Sequence, residues 1–166
     1  MLQQFENLIM GTFDNLFGVF LISMVPIVEL RGAIPVGIAF LEDYQWWQIY
    51  IAAVLGNIFP IPFAVYFLRK IIRCMKGWRI FRGLAEKLET RAENKAEKFK
   101  RGIEWGLYIF VAIPLPGTGA WTAALIASVL NMRIKDCLGP IVLGVITAGL
   151  IMTVGSTAIK YFLGIF

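Results

Sequence analysis

The ten residues Pro26–Pro35 read PIVELRGAIP, and their reading decides how the rest of the chain is understood. Apolar sequence flanks them on both sides, LFGVFLISMV (Leu16–Val25) before and VGIAFL (Val36–Leu41) after. At their centre stand a carboxylate, Glu29, and a guanidinium, Arg31, with a proline at each end. An ionisable side chain at bilayer depth costs roughly 2.5–3.5 kcal/mol on insertion scales and marks a functional site by default. Proline interrupts the helical hydrogen-bond ladder and glycine tolerates a turn, so Pro26, Gly32 and Pro35 are expected to break the segment here. A spanning helix needs roughly 20 apolar residues, and neither arm beside the break reaches that length. Together the arms form either one kinked span or a re-entrant hairpin.

Composition places the whole chain in a membrane. It is 58% hydrophobic and 16% charged, with a mean hydropathy of +0.72; soluble domains are typically about 45–50% apolar and about 25% charged. Its 166 residues leave room for only a few spans. The absence of histidine removes the commonest metal ligand and proton shuttle, and no metal site or cofactor is expected. Cys74 and Cys137 are far apart and show no CxxC or zinc spacing, so both are read as inert thiols. The start, MLQQFENLIMGTF, lacks the basic region of a signal peptide.

Apolar sequence comes in four blocks, residues 16–41, 46–68, 105–130 and 138–163. Ahead of them Leu2, Phe5, Ile9, Phe13 and Leu16 form one stripe suited to an interfacial helix. Blocks two and four read as ordinary spans; Trp46 and Trp47 mark an interface, while Pro60 and Pro62 kink or interrupt the second block. Block three is broken like block one, by IPLPGTGAW (Ile113–Trp121), where Gly117 and Gly119 add a turn.

The insert 69–104 carries twelve basic residues against five glutamates, a net +7, which places it in the cytoplasm by the positive-inside rule. Within it Phe81, Ala85, Leu88, Ala92, Ala96, Phe99 and Ile103 predict an amphipathic helix, lying on the inner leaflet or serving as a solvated connector.

The two halves resemble each other. RGAIPVGIA (Arg31–Ala39) matches TGAWTAALIA (Thr118–Ala127) with one inserted residue. At an offset of 88, VLGNI (Val54–Ile58) matches VLGVI (Val142–Ile146). If blocks one and three are hairpins, the halves have opposite orientation. Glu6, Asp14, Glu42 and Asp43 then lie outside, and the insert with Arg133 and Lys135 lies inside. That split obeys the charge rule better than full spans do. The fold expected is therefore an all-α, multi-pass membrane protein forming a single membrane domain, 1–166. It contains two inverted repeats, 1–68 and 105–166, each a re-entrant helical hairpin plus a transmembrane helix, with the amphipathic cytoplasmic helix between them.

Two clusters are candidates for substrate binding or proton coupling. The first is Glu29, Arg31, Gly32 and Pro35. A carboxyl in a dry site favours its protonated form and could exchange a proton, and Arg31 could fork onto an anionic head group. Residues two apart in a helix do not face each other, so a pair between them needs an irregular turn. The second cluster is Pro114, Pro116, Gly117, Thr118 and Gly119, a broken-helix end whose amides and hydroxyl suit an anion, or else a plain hairpin tip. It lacks the GK[ST] ending of a P-loop. No catalytic pair and no nucleic-acid module is evident.

The motifs VPIVELRGAIPVGIA and IPLPGTGAWTAALIASVL resemble those of the small multidrug export protein family of bacteria and archaea, with likeness over nearly the whole chain. Glu29–Pro35 corresponds to that family's ELRGAIP and Pro116–Trp121 to its PGTGAW. More distantly the family is similar to the DedA membrane proteins. That likeness implies paired re-entrant hairpins and proton-motive-force-dependent handling of lipid carriers such as undecaprenyl phosphate, although this chain has fewer intramembrane charges than DedA proteins.

Taken together, residues and resemblance lead us to expect a non-enzymatic, proton-coupled transporter or flippase of an amphiphile with an anionic head group, in the bacterial or archaeal plasma membrane. Its expected partners are membrane lipids, the amphiphilic substrate and a second copy, packed through Ala33/Gly37 or Gly144/Ala148. The alternatives are an exporter of lipophilic cationic drugs and a scaffold working through the basic helix.

Overall fold

The computed structural model describes residues 15–75 and 96–163, apart from Pro116 and Asn131. The interfacial stripe before Leu16 and most of the amphipathic helix expected in the insert lie outside these residues. Seven helices make up the described chain: α1 (Leu16–Ser23), α2 (Glu29–Phe40), α3 (Trp46–Ile58), α4 (Ile61–Met75), α5 (Ala96–Ala112), α6 (Ala120–Val129) and α7 (Ile134–Leu163).

Block one is broken at the first of its prolines, Pro26, and not at Gly32 or Pro35. The turn falls at Met24–Val28, and the charged residues, Gly32 and Pro35 all lie inside α2. Pro35 lies inside α2 although it removes the ladder bond to the Arg31 carbonyl and its ring crowds that carbonyl. The turn begins where α1 ends: the Met24 amide donates to the Leu21 carbonyl (3.1 Å) and the Val25 amide to that of Ile22 (3.0 Å). At its other end α1 is capped by Asn15, whose side chain accepts from the Gly18 amide at 3.0 Å.

Pro60 and the preceding Phe59 separate α3 from α4, the interruption that the proline pair in block two predicts. Taken through that kink, Trp46–Ile71 is long and apolar enough to span a bilayer, and so is Ile134–Phe162. These are the two blocks that read as ordinary spans. Only 39% of the most apolar 18-residue stretch of each is buried within the protein, unlike the core helix of a soluble protein. Phe63, Tyr66 and Phe67 on α4 and Val154 and Ile159 on α7 are all exposed. Soluble monomers rarely show contiguous apolar patches beyond a few hundred Å². The surface belongs against lipid, and the chain is a membrane protein.

The chain divides into two compact units. One is the chain up to Pro60 together with Val145 onward, and the other is Ile61–Gly144. In the first, α1, α2 and α3 pack on one another around Val19, Leu30, Ala33, Ile34, Ile49 and Ala53. Gly56 of α3 lies so close to the Phe20 carbonyl of α1 that a side chain there would strike backbone, and Gly37 of α2 rests on Ile49. The Tyr50 hydroxyl donates to the Ile146 carbonyl at 3.2 Å, and Gly149 of α7 faces the Tyr50 ring.

In the second unit α6 packs on α4 and touches α5. Ala120, Ala123, Ala124 and Ala127 are fully buried, giving α6 a small-residue face. The Ser128 hydroxyl lies 2.7 Å from the Ala124 carbonyl and 3.3 Å from the Val65 carbonyl, on α4.

The VLGNI/VLGVI match has a structural counterpart. Gly56 and Gly144 occupy equivalent places in it. Gly56 rests on Phe20 of α1, and Gly144 on Tyr108 and Val111 of α5. In each half the long apolar helix thus lays a glycine on the first arm of its own broken block. This packing also consumes the small-residue faces expected to join two copies, since Ala33, Gly37, Gly144 and Ala148 are all buried within the chain.

Candidate functional site

The irregular turn required for Glu29 to meet Arg31 is present. Glu29 adopts φ = 50° and is the one described residue other than glycine with positive φ. That left-handed conformation costs an L-residue roughly 1–2 kcal/mol. It persists because the surrounding hydrogen bonds fix it: the Glu29 amide donates to the Val25 carbonyl (2.9 Å) and the Gly32 amide to the Val28 carbonyl (3.0 Å). With the backbone turned, Arg31 Nη1 comes within 3.3 Å of Glu29 Oε2. Side-chain exposure is 16% for Arg31 and 5% for Glu29. The separation exceeds the roughly 2.7–2.9 Å of a tight charge-assisted bond.

Gly32 belongs to the same construction. A Cβ at position 32 would overlap the Val28 side chain, so glycine lets the turn close onto the first coil of α2. Pro35 follows one turn later and is half-buried. Glu29, Arg31, Gly32 and Pro35 are therefore one local cluster at the beginning of α2. Strain at a buried ionisable residue is characteristic of functional sites.

The second cluster, in the other unit, has a different character. Gly117 takes φ = 84°, a conformation suited to glycine, and is exposed. The Thr118 hydroxyl lies 2.9 Å from the carbonyls of both Ile113 and Leu115. Its single proton is therefore engaged in stapling the turn. Gly119 is buried and forms the N-cap of α6, while Pro114 is half-buried. Pro116 lies outside the described residues. The hydroxyl expected to meet a ligand instead holds together the loop it sits on.

Residues 29–151 match the family described as "Putative small multi-drug export protein". The chain belongs to that family. No curated protein and no solved structure matches it. The family's description is of an export protein rather than an enzyme, in keeping with the apolar surface. The matched stretch begins on Glu29 itself and contains both clusters.

Three features escape a reading of the sequence. Asn57 is 1% exposed, and its Oδ1 has no hydrogen-bond partner among the described residues. A lone amide in the apolar run IAAVLGNIF was the available signal. Arg69, read as part of the basic cytoplasmic insert, has two buried nitrogens. The third is a half-open cleft of about 370 Å³ beside the EDYQ link, lined in part by Glu42, Tyr44, Trp46 and Lys160. Lys160 there donates to the Ile38 carbonyl at 2.9 Å, satisfying one of the last carbonyls of α2. This cleft lies at the far end of α2 from Glu29, roughly 17 Å away along the helix, so it is not the site of the ion pair.

Proposed function

We propose that this family member carries an amphiphile with an anionic head group, such as a lipid phosphate, across a bacterial or archaeal plasma membrane, coupled to a proton on Glu29. The observation that carries this reading is the buried Glu29–Arg31 pair. Each charge is the other's counter-ion, so a change at one alters the hold on the other. When Glu29 takes a proton, its attraction for Arg31 weakens and the guanidinium can fork onto an anionic head group. When the proton leaves, the carboxylate reclaims Arg31 and the head group departs. The site stays neutral in both states, which avoids the several kcal/mol that an uncompensated buried charge costs.

In this scheme blocks one and three are re-entrant hairpins of two inverted repeats, and the insert 69–104 is cytoplasmic. The turn at Pro114–Gly119 is the second hairpin's counterpart of Met24–Val28. Its proximity to a helix start favours an anion. A lipophilic cationic drug, the alternative cargo, would need Glu29 as its own counter-ion and would have to displace Arg31. A second copy would enclose a larger path than four blocks can, using a face other than the glycine faces already buried.

The test is reconstitution into liposomes, following a fluorescent polyprenyl phosphate and a cationic dye separately. The expected outcome is movement of the phosphate, reduced at least about tenfold, a barrier change of roughly 1.4 kcal/mol, in both Glu29→Gln and Arg31→Ala. Dye movement that needs Glu29 but survives Arg31→Ala would favour the cationic cargo. Undiminished transport in both variants would remove the pair from the mechanism.

A further inference from the structure

The cleft beside the EDYQ link combines two charges of opposite sign with aromatic and aliphatic surface. Its volume, about 370 Å³, falls within the roughly 300–1,000 Å³ of clefts that hold small ligands. Lys160 and Glu42 both line it, as do Tyr44 and Trp46, and its apolar lining includes the buried Ile38, Leu41 and Ile49. The link beside it is braced. The Gln45 amide donates to Gln48 Oε1 at 2.9 Å, and the Gln48 amide donates to the Gln45 carbonyl at 2.9 Å, which closes the first turn of α3. Lys160 is held as well: it is half-buried, and its bond to the Ile38 carbonyl fixes the ammonium against the end of α2. Glu42 is exposed and makes no hydrogen bond or ion pair with any described residue. The cleft therefore presents a cation and a carboxylate that are not engaged with each other.

Location narrows the occupant. Trp46 opens the apolar run Trp46–Ile71, and Lys160 stands near the close of Ile134–Phe162. Both of these ends belong to one compact unit and line one cleft. The cleft thus lies at a membrane boundary, the depth of lipid head groups, where exposed tryptophan and tyrosine such as Trp46 and Tyr161 are at home. A head group that satisfies both charges is a zwitterion. Lysine is a compact point charge that suits a phosphate. A primary ammonium can donate to the Glu42 carboxylate and is attracted by an indole face such as that of Trp46. A purely anionic head group would set like charge against Glu42, and a purely cationic one would set it against Lys160. We propose that the cleft binds the head group of phosphatidylethanolamine, with the phosphate on Lys160 and the ammonium on Glu42 beside Trp46. This resident lipid site is separate from the Glu29–Arg31 pair, and it stands whether or not that pair transports.

The test uses the full chain purified in detergent, with phosphatidylethanolamine and phosphatidylglycerol of matched acyl chains offered together and bound lipid read by native mass spectrometry. The two lipids share the phosphate and differ in the ammonium. Wild type is expected to retain phosphatidylethanolamine about tenfold better, the equivalent of roughly 1.4 kcal/mol. Glu42→Gln, at an exposed position, should abolish that preference. Asp43→Asn, next in sequence but outside the cleft lining, should leave it intact. Lys160→Gln keeps a donor for the Ile38 carbonyl and loses the charge, so retention of both lipids should fall. Equal retention of the two lipids by wild type overturns the proposal, and so does an unchanged preference in Glu42→Gln. Loss of the preference in Asp43→Asn as well would refute the site, because general surface charge would then set it. Millimolar phosphoethanolamine should fail to displace the lipid; if it displaces the lipid and binds alone, the cleft takes a soluble zwitterion and the lipid assignment falls. Should Lys160→Gln not fold, wild type and Glu42→Gln still decide.

Discussion

Glu29 carries two burdens at once, a carboxylate buried to 4% exposure and a left-handed backbone. The two can be separated by substitution. Glu29→Gln removes the charge and keeps the strained φ, leaving Arg31 without its counter-charge. Glu29→Gly removes both the charge and the strain, since glycine adopts positive φ freely. We expect Glu29→Gln to destabilise by about 3 kcal/mol, the low end for breaking a buried pair. Glu29→Gly should be less damaging by about 1 kcal/mol. Unfolding in mixed micelles with increasing denaturing detergent measures both, and equal losses would show that the backbone strain is not relieved. Both charges were legible in the sequence, because ionisable groups are rare in apolar runs. Their pairing was not: it depends on the sign of φ at one glutamate, and a glutamate gives no hint of that.

At the scale of the elements, the four apolar blocks and the interruption at Pro60 could be read directly, because length and proline carry that information. The turn of the first block falls at Pro26, one of the three residues expected to break it, while Gly32 and Pro35 lie inside a helix. Pro35 looks like a breaker, yet α2 continues through it at the cost of one ladder bond and a crowded Arg31 carbonyl, and the chain turns at Pro26 instead. Glycines present a similar ambiguity. Gly56 and Gly155 look alike in sequence, each inside an apolar helix. A Cβ at Gly56 would strike the Phe20 backbone, whereas one at Gly155 meets nothing within 4 Å. Gly56→Ala should therefore cost about 3 kcal/mol, the upper range for overpacking. Gly155→Ala should gain up to about 1 kcal/mol from helix propensity. The same micelle unfolding assay compares them, and a harmless Gly56→Ala would mean that α1 and α3 are not in close contact.

For the whole molecule, composition alone settled the membrane class, and the ELRGAIP and PGTGAW strings carried the family. The weak repeat was readable only as matched letters. Its physical content, a glycine of each long helix resting on the first arm of its own half, lies in packing that apolar letters do not encode. Arg69 was hidden for a related reason: a basic run fixes which side of the membrane it faces, but not which of its members turns inward.

What unites these scales is the claim that one buried pair takes up a proton together with an anionic head group. Liposomes containing the reconstituted protein and an internal pH dye test it most directly, when polyprenyl phosphate is added outside and internal pH is followed. The account predicts acidification of the lumen that accompanies substrate entry in wild type and disappears in Glu29→Gln. Substrate entry at the wild-type rate with no change in internal pH would contradict it.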